Sequence, residues 1–165
     1  MLIFFIFLFS SLLDADERGY LVEVGDMAPD FEMEFVDVSQ SKLSDYQGQI
    51  VILQFTARCC TVCRLEMPHL EKDVWQKYKD KGVFLIGVDR DEPLETVIEF
   101  QKKIGTTYPL ALDPGADIFG LFANKKAGVT RNVVIDKTGK IVFLTRLFEE
   151  KEYQEMLRVI KDLAL

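Results

Sequence analysis

The chain has 165 residues, 48% of them hydrophobic, which is enough to bury one core and leaves little for a second domain. A net charge of −7, with lysine and arginine scattered among carboxylates, argues against a phosphate-binding face, so nucleic acid is not an expected partner. The cysteines, Cys59, Cys60 and Cys63, lie too close together to staple distant parts of a fold, which leaves redox or metal chemistry for them.

In chain order, Met1 to Leu13 forms an apolar run that stops abruptly at Asp14. A membrane-spanning helix needs about 20 apolar residues, so the run fits the hydrophobic core of an export signal better than a complete anchor. No Lys or Arg precedes it and no small-x-small cleavage site follows, and an uncleaved anchor has the same appearance. Residues 1–18 are therefore read as a signal peptide or membrane-anchor leader and residues 19–165 as the folded domain, exported to the periplasm or cell envelope.

Val51 to Phe55 is a short apolar run of the kind that makes a strand buried on both faces. From Cys60 onward, Cys63, Met67, Leu70, Val74 and Tyr78 recur at helical spacing, while Arg64, Glu66, Glu71, Lys72 and Lys79 read as the polar side. Pro68 is expected to kink this helix, and Lys81-Gly82 to close it. Val83 to Val88 reads as a second buried strand, ending in the acidic stretch Asp89, Asp91 and Glu92, which reads as a solvated turn. A second helix carries Leu94, Val97, Ile98 and Ile104 and ends at Gly105. Tyr108 to Leu112 is short and extended, Asp113-Pro-Gly115 turns the chain, and a short helix surrounds Ile118 to Phe122. Val133 to Ile135 and Ile141 to Leu144 flank the hairpin turn Asp136-Lys-Thr-Gly139, and Tyr153, Met156, Leu157, Ile160 and Leu163 mark a closing helix. Trp75 and the phenylalanines are core candidates. Alternating strands and helices followed by a hairpin and a terminal helix predict a three-layer α/β/α sandwich with a mixed sheet.

Phe55 to Cys63 lies between a strand end and a helix start, and that position carries the chemistry. A thiol attacks a disulfide as the thiolate, which the unpaired amides and dipole of a helix N-terminus favour. Cys60 sits there. Cys63, one turn further in on the same side, is placed to attack a mixed disulfide formed by Cys60. Thr61 and Val62 between them influence the redox potential, and Arg58 and Arg64 are either pKa-tuning charges or ordinary solvated ones. Glu66 is either a proton relay to Cys63 or a solvated carboxylate.

With these residues in place the sequence resembles the TlpA/ResA-like branch of the thioredoxin superfamily, the AhpC/TSA-redoxin-related thiol-disulfide oxidoreductases of bacteria. The resemblance rests on Gly25, Ala28-Pro-Asp-Phe31, Leu43 to Gly48, Val51 to Phe55, Cys60-x-x-Cys63-Arg64 and Glu66-Met-Pro68. It continues through Tyr108-Pro109, Asp113, Gly128-Val129, Val133 to Asp136 and Gly139-Lys140. It implies a thioredoxin fold with an N-terminal extension, reduction of disulfides in envelope proteins, sometimes for cytochrome maturation, and an electron-donating thiol-disulfide partner that in some cases is membrane-bound. No cofactor and no metal are called for.

Two positions depart from the family pattern. Cys59 stands where members usually carry Trp. Thr130 stands where they usually carry a cis-proline facing the cysteine pair. Because a non-proline cis bond costs several kcal/mol, Thr130 is expected to be trans, within contact distance of the pair and offering it donors. Two other readings stay open: a peroxiredoxin-like peroxidase, from Ala28 to Phe31 and Thr56-x-x-Cys59, and metal or iron-sulfur binding by the cysteines with His69.

Overall fold

The two apolar runs that read as buried strands lie side by side at the centre of the molecule. In the computed structural model, which describes residues 18–165, β3 (Ile50–Thr56) and β4 (Val83–Arg90) pair in parallel from Ile50↔Val83 to Thr56↔Asp89, and every β3 residue is buried. A strand covered on both faces requires apolar side chains throughout instead of alternation, so the polar Gln54 and Asp89 within this pair need a separate explanation.

The sheet has the order β2-β1-β5-β4-β3-β6-β7. β5 (Leu110–Asp113) continues the parallel core. β6 (Arg131–Ile135) and β7 (Ile141–Arg146) extend it antiparallel on the β3 side, and the hairpin of β1 (Glu32–Phe35) and β2 (Gln40–Lys42) does so beyond β5. Successive residues of the central strands alternate between two cores. Ile52, Leu85 and Val134 pack under α1 (Thr61–Leu70), α3 (Leu94–Ile104) and α5 (Glu150–Ala164). Leu53, Ile86 and Val133 pack under α4 (Asp117–Phe122) and the chain entering the sheet, including Tyr20 and Phe31. The result is the thioredoxin-like three-layer α/β/α arrangement with a mixed sheet and an N-terminal extension.

α1 continues through a π turn, Glu71–Trp75, into the short α2 (Gln76–Tyr78), so the irregularity in this long helical segment falls just past Pro68. Trp75 is half-buried there and donates its ring N–H to Thr107 Oγ1 at 3.1 Å. Gly82 and Gly105 end their helices in left-handed conformation, as their sequence positions predict.

The loop 124–129 before β6 is held from two sides. Arg90 donates to the Ala127 carbonyl at 2.7 Å and also to the Lys125 carbonyl, with its guanidinium over the Phe119 ring. Arg131 donates Nε–H to the Gly128 carbonyl at 2.9 Å, and its guanidinium lies over the Tyr20 ring. The expected leader falls on residues 1–17, outside the described residues. Arg18, assigned to its end, is bound into the domain by Glu152 at 2.8 Å. No helix among the described residues is long and apolar enough to cross a membrane.

Candidate active site

β3 ends at Thr56, and the turn through Ala57, Arg58 and Cys59 delivers Cys60 as the N-cap of α1 in extended conformation. Cys60 and Cys63 form a disulfide with Cα atoms 5.3 Å apart. The Cys63 N–H donates to Cys60 Sγ at 3.0 Å, so one of the otherwise unpaired amides of the helix start already points at this sulfur. Cys60 is half-buried, whereas Cys63 is fully buried. Cys59 is exposed and free. Thr61 is exposed and accepts from the Arg64 guanidinium at 3.2 Å, and Val62 is half-buried on the helix flank. The Arg58 side chain is exposed, while its backbone N–H donates to Glu92 Oε2 at 2.7 Å.

The loop opposite presents the Val129 carbonyl oxygen 3.6 Å from Cys60 Sγ, where it can accept a hydrogen bond from the reduced thiol. The Val129–Thr130 peptide bond is cis, which corrects the expectation of a trans bond. The intrinsic preference for trans gives way here to contacts on both sides of the bond: Val129 abuts Cys60, the Thr130 carbonyl accepts the Leu147 N–H at 3.1 Å, and the buried Thr130 hydroxyl donates to Glu66 Oε2 at 2.5 Å.

Of the two readings of Glu66, proton relay or solvated carboxylate, burial rules out the second, and Glu66 leaves the polar side of α1 to which its spacing assigns it. It is 1% exposed and occupies the inward stripe with Cys63, Met67 and Leu70. The burial is supported by a complete set of donors: Thr130 Oγ1, Gln54 Nε2 at 3.1 Å and Asn132 Nδ2 at 2.7 Å. Gln54 accepts in turn from the Tyr108 hydroxyl at 2.8 Å, and Asn132 also donates to Thr145 Oγ1 at 2.9 Å. Burial pushes the Glu66 carboxyl above its ordinary range, and these hydrogen bonds to the carboxylate oppose the rise. The polar residues Gln54 and Asn132, set within buried strands, were the available signal for this network.

Asp89, expected in a solvated turn, is instead fully buried, because β4 runs beyond the apolar stretch that predicts it. Asp113 shapes the turn into α4 by accepting the Ile118 and Phe119 N–H groups at 2.8 and 2.9 Å. The Thr56 hydroxyl, which a peroxidatic site would direct toward Cys59, faces Met67 Sδ at 3.5 Å. His69 packs against Phe148 and Tyr153, and among the described residues no group of three or more His, Cys, Asp or Glu side chains is placed to hold a metal.

A redox disulfide at the N-terminus of the helix that follows a central parallel strand defines a thioredoxin-fold thiol-disulfide oxidoreductase. The chain belongs to the AhpC/TSA family, whose model matches residues 24–144. It is 30% identical over 145 residues, 87% of this chain and 81% of the other, to the thiol-disulfide oxidoreductase ResA of Halalkalibacterium halodurans. Among solved structures, a proposed protein disulfide isomerase from Bacteroides thetaiotaomicron is 54% identical with a TM-score of 0.86, over 88% of this chain and 92% of that one. A proposed thiol:disulfide interchange protein DsbE from Chlorobium tepidum is 26% identical with a TM-score of 0.78, over 87% and 99%. Dithiol-disulfide exchange on disulfide-bearing proteins is the activity that these relatives and the cysteine pair support together.

Proposed function

We propose that the protein is an exported reductant of disulfides in cell-envelope proteins, with Cys60 as the attacking sulfur and Cys63 as the resolving one. The observation that carries the assignment is the asymmetry of the pair: Cys60 reaches the surface at the helix N-cap, and Cys63 is sealed one turn behind it.

In the reduced protein, the Cys60 thiolate attacks one sulfur of a substrate disulfide. A Cys60–substrate bond forms, the substrate S–S bond breaks, and one substrate thiolate leaves. Cys63 then attacks Cys60 Sγ in the mixed disulfide, expelling the second substrate thiolate and forming the Cys60–Cys63 disulfide. Cys63 must lose its proton for this step. Glu66, one turn further along the same buried stripe, takes that proton, and its raised proton affinity brings it closer to that of a thiol. The released substrate thiolates take up protons from water. An electron-donating thiol-disulfide partner at the membrane restores the dithiol. The apolar leader supports the envelope location.

Cys60→Ser is expected to abolish disulfide reduction, and Cys63→Ser to accumulate mixed disulfides separable on a non-reducing gel. Activity retained in Cys60→Ser and lost in Cys59→Ser would reverse the roles. A reduction potential near that of thioredoxin, about −270 mV, fits a reductant, whereas one near about −120 mV contradicts the direction.

A further inference from the structure

Two carboxyl groups that take no part in the exchange chemistry lie behind the active-site loop. Asp89 is fully buried, and neither of its oxygens meets an N–H or O–H donor among the described residues. Register places it beside Thr56, the last β3 residue before the turn to Cys60. Glu92, three residues further along the chain, lies close enough for its charge to act on Asp89. Glu92 Oε2 accepts the N–H of Arg58, two positions before Cys60. Two carboxylates cannot hydrogen-bond each other, whereas a carboxylic acid and a carboxylate can.

We propose that Asp89 and Glu92 share one proton, and that this proton keeps Glu92 in place to hold the Arg58–Cys59 segment, making the pair a positioning device for Cys60. Its consequence for reactivity rests on the reading of Cys60 as the attacking sulfur.

The surrounding charged groups are engaged elsewhere or exposed. On β4, Arg90 is turned to the opposite face, against Ala127 and Phe119. In the following turn, Asp91 accepts the Gly115 N–H at 2.9 Å. On β5, Asp113 caps α4. On α1, Arg64 is bound to Thr61, and Glu66 is enclosed by Thr130, Gln54 and Asn132. At the start of α3, Glu95 is exposed, as are the Arg58 side chain and Cys59 in the loop. The neutrality of Asp89 therefore comes from a proton. Burial and the adjacent Glu92 charge push its carboxyl up to about 8. Below that pH the acid–carboxylate pair holds Glu92 against the Arg58 N–H. Above it, two carboxylates face each other, the half-buried Glu92 turns to solvent, and Arg58 is released.

The test follows the Arg58 amide by NMR across pH in the oxidised full-length protein. In wild type its signal is expected to move through a midpoint near pH 8. Asp89→Asn supplies Glu92 with a permanent N–H donor and should leave the amide fixed, and Glu92→Gln should independently remove the step. In reduced protein carrying Cys59→Ser, alkylation of Cys60 should show a second step at the same midpoint, about threefold or larger, that disappears in Asp89→Asn while the thiolate step remains. An Arg58 amide that does not titrate, or the same step in both variants, overturns the shared proton. An Arg58 step without a Cys60 step overturns the positioning role. The NMR arm uses no thiol chemistry, so a wrong assignment of the attacking sulfur is told apart from a failed proton pair.

Discussion

At the scale of single residues, the site depends on a buried carboxylate and a hydroxyl from the opposite loop. The Thr130 hydroxyl donates to Glu66, and a donor to a buried carboxylate lowers its proton affinity. Thr130→Val keeps the shape and removes the donor. It is expected to cost about 1–3 kcal/mol in denaturant unfolding and to move the Glu66 titration further upward, with Thr130→Ser close to wild type. An unchanged Glu66 titration in Thr130→Val would show that the hydroxyl does not tune it. The cysteine pair and its place at a helix start were legible because strand, turn and helix signals converge on Cys60. The burial of Glu66 was not, although its position three residues after Cys63 belongs to the apolar stripe. A carboxylate on such a stripe reads as solvated until its partners are known, and Gln54, Thr130 and Asn132 come from two other strands or their approaches, which local periodicity does not bring together.

At the scale of elements, β3, β4, α3, β6, β7 and α5 are all readable, since the strands are short apolar runs, the apolar residues of the helices follow one period, and turn or cap residues lie near their ends. The β1–β2 hairpin is not. Its strands have four and three residues, Glu32, Glu34, Gln40 and Lys42 face outward, and its turn places Val38, a β-branched residue, at positive φ without the usual glycine signal. The π turn after Pro68 is likewise fixed by tertiary contact. Glu71 accepts from the Thr107 N–H at 2.7 Å, the Thr107 hydroxyl at 2.6 Å and Gln76 at 2.6 Å, tying the helix that carries the cysteines to the chain entering β5. Partial burial raises the Glu71 pKa, but these hydrogen bonds outweigh it and leave the carboxyl below its ordinary range. Glu71→Ala is expected to destabilise by about 1–3 kcal/mol at neutral pH, and the difference from wild type should shrink as pH falls through the folded pKa, where wild type loses the same contribution. A constant difference over the acid range would argue that Glu71 acts by packing alone.

Across the whole molecule, buried acids decide how stability depends on pH. Asp89, Glu66 and Asp113 all hold their protons more tightly folded than unfolded, with burial as the leading cause. For such a group the stabilising contribution is complete below its unfolded value and is lost as pH rises through its folded one. For Asp89 that window runs from 3.8 to about 8. Glu71, Asp30, Asp37 and Asp136 act in the opposite sense, since hydrogen bonds hold them low and their contribution disappears only in acid. Asp30 and Asp37 are exposed and Asp136 is only half-buried, so screening keeps their effect small and the buried acids dominate above the acid range. The wild-type melting temperature should therefore peak at mildly acidic pH and fall toward pH 8. Asp89→Asn, uncharged at every pH, should melt close to wild type near the unfolded value of 3.8, exceed it increasingly up to about pH 8, and hold a constant advantage beyond. Parallel melting curves for the two proteins over that window would mean that Asp89 does not keep its proton in the folded state.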